Sequence, residues 1–382
     1  MNPKYPTRSE ILTAIKNPKL SFKDIALKRG EPIKTGIAIE QYTGAFTSVF
    51  PFVTDGNKKA IRVWTSEVDS AKERTQKLSE YLLKLNSQYF VKFDYCKEAL
   101  LICGEFYPIV VMDWVTGINL KKYIGSILKS KSQLLSLAER FKELVTYLHN
   151  NNLSHGDLQH GNILVTEKGN LILVDYDSFY VPGMEKFSDT IKGLPGYQHP
   201  KRETLKYLSN VSDYFSELVI YLSILTYSEH PEYWQEGTDH LLFSKEDIYE
   251  YNSSKIFKQL TKSNSELVRN LTSTLVDFIN EDSINHLKPL EVVLVSKKDA
   301  LLNDYEKEFS NVPPKKNRYS PPKTAKPKID NFDFETIVKI KVTPPKSTKP
   351  DIDIFNDSFI KLPIKNKSGI KKNRPSSDDF TF

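Results

Sequence analysis

The 382-residue sequence predicts an α+β fold of two lobes, one rich in strands and one rich in helices, followed by a disordered C-terminal tail. Three observations carry this expectation. Short apolar runs bounded by turn residues fill residues 36–115. Apolar residues at helical spacing take over from about residue 119. Near residue 305 the composition turns to Pro, Lys, Ser and Asn, which cannot bury enough apolar surface to offset the entropy of ordering.

Residues 1–35 read as an N-terminal extension and 36–115 as the strand-rich lobe, with Lys59-Ala60-Ile61-Arg62-Val63-Trp64 and Tyr107-Pro108-Ile109-Val110-Val111-Met112 as its clearest strands. One helix interrupts them, with Leu78, Leu82 and Leu85 on a single face. Residues 116–304 form the helical lobe. Leu134, Leu137, Phe141, Leu144, Val145 and Leu148 keep helical spacing over four turns, and further helices fall near Asp213–Leu225 and Ser265–Asn280. Between them, runs 162–165 and 171–174 flank Glu167-Lys168-Gly169-Asn170 as a small hairpin. Residues 305–382 form the tail, where Pro321-Pro322-Lys323-Thr324 returns as Pro344-Pro345-Lys346-Ser347 with a period of 23. Two copies are too few for a solenoid and suit duplicated docking or modification motifs.

Charge and composition exclude several classes. Seventeen of the 54 Lys and Arg and ten of the 48 Asp and Glu lie from Tyr305 onward, so the tail carries about +7 of the net +6 and the rest is near neutral. The core is therefore not read as binding nucleic acid. No run reaches the roughly 18–20 apolar residues of a membrane span, and the first residues lack a signal-peptide pattern. Two cysteines, Cys96 and Cys103, make neither a disulfide framework nor a zinc site, and a cytoplasmic setting is expected.

Chemistry concentrates in His155-Gly156-Asp157-Leu158-Gln159-His160-Gly161-Asn162, directly after the long amphipathic helix, and in Val174-Asp175-Tyr176-Asp177, at the end of an apolar strand. Phosphoryl transfer needs one carboxylate to orient an attacking hydroxyl and oxygen ligands to hold Mg²⁺ on the phosphates. Asp157, Asn162 and Asp175 are that set of groups. The pair of segments resembles the catalytic and metal-binding loops of protein kinases. The resemblance extends over roughly 36–297 with its motifs in order. Gly44-Ala45-Phe46-Thr47-Ser48-Val49 falls where the phosphate-covering loop belongs, Ala60-Ile61-Arg62 where the phosphate-anchoring lysine belongs, and Met112-Asp113-Trp114-Val115 at the gatekeeper and hinge. Leu164 falls at the floor of the adenine pocket, Gly193 to Pro200 at the end of the activation loop, and Asp213 at the start of the buried helix behind the catalytic loop. More narrowly, the chain resembles atypical bacterial kinase-like proteins of the eukaryotic-type serine/threonine kinase superfamily.

That resemblance implies an ATP- and Mg²⁺-dependent kinase acting on Ser or Thr of a protein. Asp157, Asn162 and Asp175 would be catalytic. Asn162, Asp175 and Asp177 would hold metal; Gly44, Val49, Ala60, Arg62, Met112, Asp113, Val115 and Leu164 would hold nucleotide. A protein substrate or signalling partner is expected, engaged through the tail, with no membrane. Departures shape the alternatives. Arg62 replaces the anchoring lysine, and its usual acidic partner falls on Leu78, or on Glu80 after a two-residue shift. Gly156, Gln159, Leu194 and Lys201 stand where an arginine, a lysine, a threonine and a glutamate are usual. A pseudokinase scaffold thus stays open. So does a small-molecule kinase, because Asp177 replaces the metal loop's glycine. His155 and Asp213 are expected to be structural, and His160 and His199 ordinary surface or loop residues.

Overall fold

A computed structural model describes residues 5–43, 46–66 and 70–296; Gly44 and the tail from residue 305 lie outside the described residues. Thr7 opens the first helix, α1 (Arg8–Lys16), through a reciprocal capping box with Glu10, and α2 (Pro18–Ser21) and α3 (Ile25–Arg29) follow. Then come β1 (Glu31–Pro32), β2 (Lys34–Thr35), β3 (Ala38–Ile39), β4 (Tyr42–Thr43), β5 (Thr47–Thr54), β6 (Asn57–Trp64), helix α4 (Ala71–Leu85), β7 (Phe93–Ile102) and β8 (Glu105–Asp113). One antiparallel sheet runs β1-β5-β6-β8-β7, with β4 added beside β5.

Side chains alternate across this sheet, so its two faces differ. Phe50, Phe52, Ile61 and Val63 point to the outer face, where Ile11, Ile15, Phe22 and Leu27 of the N-terminal helices complete a core. Val49, Ala60 and Arg62 take the opposite face by the same alternation. Leu78 and Leu82 of α4 join Phe90, Phe93 and Val110 in the large core shared with the helical lobe.

Beyond the sheet lie β9 (Ile118–Asn119), α5 (Leu120–Ile127), α6 (Lys131–Asn150), β10 (Ile163–Val165), β11 (Leu171–Leu173), α7 (Tyr214–Glu229), α8 (Lys245–Tyr249), α9 (Lys255–Leu260) and α10 (Glu266–Asn280). The expected hairpin forms, with Ile163 opposite Leu173. Helix α7 is apolar around its circumference and buried along nearly its whole length, as a central helix must be.

His149 of α6 ties this lobe together. Its Nε2 lies 2.8 Å from Glu217 of α7 and its Nδ1 2.8 Å from Glu291, with Tyr214 edge-on. Burial opposes the imidazolium, but the two carboxylates outweigh it and lift the pKa to about 9. Burial also pushes Glu217 upward, and the 2.8 Å contact with His149 opposes that shift. The folded pKa lies above the unfolded value of about 6.5, so the stabilisation is complete below that value and is lost as pH rises through about 9. Urea unfolding across pH 6–10 should show a decline on the order of 2 kcal/mol that His149→Gln removes; equal slopes in the two proteins would refute the assignment.

Candidate active site

The catalytic loop leaves α6 through Gly156, whose φ is +76° and whose added Cβ would lie 2.3 Å from the Ser178 carbonyl oxygen. Only glycine fits there, so the missing arginine reflects backbone shape as well as a lost charge. Asp213 holds the loop from behind: its carboxylate accepts the Gly156 N–H at 2.9 Å and the His155 N–H. Burial raises the Asp213 pKa, and His155 with these donors opposes the shift. The His155 ring is buried beneath the next loop, with Nε2 2.9 Å from the Val174 carbonyl oxygen. Both residues thus have the structural places expected of them.

The β10–β11 hairpin then brings the two motifs together. Its register extends to a hydrogen bond from the Val174 N–H to the Asn162 carbonyl oxygen at 3.0 Å, which puts Asn162 beside Asp175. Asn162 Nδ2 donates to the Asp157 backbone oxygen (2.8 Å) and to its Oδ2 (3.0 Å). Asp157 Oδ1 accepts the Leu194 N–H at 2.8 Å. Gln159 does not join this network; its Oε1 caps the following turn at the Gly161 N–H (2.7 Å). Asp175 itself sits at φ +63°, an uncommon conformation for a residue with a Cβ and one that collects at functional sites.

Electrostatics mark this place. Burial lifts Asp157 to about 6; His155 and the Leu194 N–H oppose it, and Asp175 adds to it. Burial also lifts Asp175 to about 6, reinforced by Asp177 and opposed by Arg62. Two carboxyls lining the same opening, Asp157 half-buried and Asp175 exposed, are both pushed upward, which describes a site short of positive charge. Among the described residues no three His, Cys, Asp or Glu side chains are grouped to enclose a metal. Two carboxylates and the Asn162 amide oxygen, whose nitrogen already faces Asp157, are nonetheless hard oxygen donors. They fit a Mg²⁺ ion that takes its remaining ligands from phosphate and water.

Arg62 finds its partner in an unexpected place. Its Nη2 lies 2.6 and 2.5 Å from the two carboxylate oxygens of Asp177. Burial opposes its charge and Asp177 outweighs that, holding the guanidinium above its ordinary pKa. Glu80 faces solvent and accepts from Gln76 at 3.0 Å, so the expected α4 partner is corrected to a metal-loop acid. Helix α4 turns Leu78 and Arg74 inward, and Arg74 Nη2 donates to the Asp177 backbone oxygen.

On the nucleotide side Val49, Ala60 and Tyr42 form a small cluster against Met112 and Trp114. Tyr42 and Trp114 rings lie 6.3 Å apart, and Lys58 Nζ stands 3.7 Å over the Trp114 ring. Asp113 pairs with Lys59 through its side chain, Val115 is half-buried in the link to β9, and Leu164 is buried on β10. Gly44 is outside the described residues.

Sequence reasoning missed a second buried group. Arg202 pairs with Asp189, donates from Nε to Gln198 Oε1 at 3.1 Å and from Nη2 to the Gly156 carbonyl oxygen at 3.4 Å. This joins the segment after the metal loop to the catalytic loop. His199 lies in a loop, as expected, but is buried there, with Nε2 2.7 Å from the Phe278 carbonyl oxygen. His160 is half-buried, bonded to the Tyr197 hydroxyl at 2.6 Å, and burial with Lys121 lowers its pKa to about 4.

The family model described as protein kinase domain matches residues 43–285. This chain belongs to the protein kinase domain family. Its kinase domain is similar to curated serine/threonine kinases at low identity. It is 32% identical over 92 residues to CBL-interacting serine/threonine-protein kinase 21 of Arabidopsis thaliana, covering 24% of this chain and 22% of that protein. It is 26% identical over 223 residues to an LRR receptor-like serine/threonine-protein kinase of the same plant, covering 55% and 24%. A probable serine/threonine-protein kinase of Dictyostelium discoideum is 25% identical over 92 residues, 24% of this chain and 14% of that protein. The kinase-domain chain spans less than a quarter of the length of these relatives. Among the described residues no helix is long and apolar enough to cross a membrane.

Proposed function

We propose that this chain transfers the γ-phosphoryl group of ATP to a serine or threonine hydroxyl of a protein. The observation that carries the reading is the hydrogen-bonded pair of Asp157 and Asn162, with Asp175 brought beside it by one hairpin through the Val174 N–H to Asn162 carbonyl bond. Asp157 orients the acceptor hydroxyl and takes its proton, at a carboxylate fixed by Asn162 and the Leu194 N–H. Asn162 and Asp175 hold Mg²⁺, and Asp177 could join them only where its carboxylate shares itself between the ion and Arg62. When bound, the ion neutralises charge on the phosphates and fixes their geometry. Arg62 and the Gly44 loop contact the phosphates. Val49, Ala60, Met112 and Leu164 enclose adenine, and the backbone of Asp113 and Val115 bonds its edge. The names of the serine/threonine kinase relatives support the acceptor class, and a protein partner engages the basic, duplicated tail.

A second reading is nucleotide binding without transfer. It draws on Arg62, whose charge is already matched by Asp177 at 2.5 Å and which cannot be equated with lysine. Incubation of the full chain with radiolabelled ATP and Mg²⁺, with and without Asp175→Asn, separates the two. Label or ATP turnover that vanishes in Asp175→Asn supports transfer. Mg-ATP binding without label in the parent protein leaves the second reading, and neither binding nor label refutes both.

A further inference from the structure

We propose that the link between α4 and the nucleotide site has inverted polarity in this chain, with Arg74 as a positioning residue for Arg62. This rests on the nucleotide reading above and extends it. The α4 stripe facing the site is Arg74, Leu78 and Leu82, spaced four residues apart and buried. Among the described residues of α4, Glu80 lies on Gln76 and Glu73 on Lys77 at 3.5 Å. Helix α4 therefore presents a cation where an acid would otherwise neutralise the phosphate-anchoring side chain.

Asp177 serves both arginines. Its two carboxylate oxygens take Arg62, and its backbone oxygen takes Arg74. Thr47, Arg62, Arg74, Thr75 and Asp177 line one cleft between β5, β6, α4 and the metal loop. Asp177 thus couples the two guanidiniums, Arg62 through its carboxylate and Arg74 through its backbone. Arg74 also holds the Asp177 backbone, and thereby fixes the acid that orients Arg62. Displacement of α4 would withdraw a cation from the site while Arg62 kept its counter-ion. The sequence signal was present, since an arginine four residues before Leu78 on the inward stripe of a helix needs a partner.

The test uses the full chain, with isothermal titration for Mg-ATP affinity, steady-state kinetics and thermal unfolding. Arg74→Met should weaken Mg-ATP binding about tenfold or more, as expected for losing a charge-assisted hydrogen bond. The effect should fall on KM for ATP more than on kcat, and Arg74→Lys should recover part of it. The charge-swapped protein Arg74→Glu with Asp177→Gly should bind Mg-ATP more tightly than either single variant, because the new carboxylate replaces the lost one. Affinity of Arg74→Met within about twofold of the parent overturns the proposal, as does a double variant no better than its weaker single. If Arg74→Met does not fold, the double and single swaps decide by the same criterion. A parent protein that binds no Mg-ATP refutes the nucleotide reading itself, whereas binding with the wrong variant pattern refutes this proposal alone.

Discussion

Asp157→Asn should reduce phosphoryl transfer by roughly 10²–10⁴-fold, the usual contribution of a positioned general base. The substitution keeps the volume and planar shape of the side chain but removes the charge that orients and deprotonates the acceptor. It also disturbs the ground state in a defined way. Both carboxylate oxygens now accept, one from the Leu194 N–H and one from Asn162 Nδ2. An amide offers one oxygen, so one donor must lose its partner or Asn162 must turn, at a cost of about 1–3 kcal/mol. Thermal unfolding and initial rates should therefore both change, with the rate falling far beyond any loss of folded protein. Burial and Asp175 push this carboxyl up to about 6 and bound Mg²⁺ would draw it back down, so transfer should decline as pH falls below about 6. A variant retaining more than about a tenth of the parental rate would remove Asp157 from the mechanism.

Arg202→Met should destabilise the helical lobe by about 3–5 kcal/mol and lower its melting temperature on the order of 10 °C. The reason is the carboxylate left behind. Asp189 is buried and its Oδ2 pairs with Arg202; Lys192 at 3.3 Å is a weaker substitute. Removing both charges in Asp189→Leu with Arg202→Met should cost less than removing the arginine alone, because no unpaired buried charge remains. Calorimetry on the single and double variants checks this, and a single variant as stable as the parent would contradict it. Transfer should fall in the single variant too, since Arg202 reaches the Gly156 carbonyl oxygen beside Asp157. The clamp needs no phosphate group, consistent with a loop that lacks an arginine at Gly156 to receive one.

The parts of this site that were legible in the sequence are those whose neighbours lie close in the chain. Asp157 and Asn162 share one loop and Asp175 follows a hairpin, so spacing alone suggested their meeting. The long helices were legible because their apolar residues repeat at helical period, as in Leu134 to Leu148. Arg62 was placed but its partner was not. Asp177 is distant in sequence and becomes a neighbour only when β6 folds over the metal loop. The Asp189–Arg202 pair was hidden for another reason: neither residue carries a motif, and ordinary surface charges look the same in sequence. The N-terminal helices were readable in principle, through the Thr7–Glu10 capping box and the spacing of Ile11, Ala14 and Ile15.

Those first helices have a practical consequence. They roof the outer face of the sheet over Phe50, Phe52, Ile61 and Val63, so strands that would otherwise tolerate polar residues on that side are dry there. Anyone trimming the chain to the family-matched segment alone would strip that roof and leave a bare aromatic sheet prone to sticking to its own copies. Handled for expression or crystallisation, a starting point no later than Tyr5 keeps the ring that packs against the large core beneath Lys72.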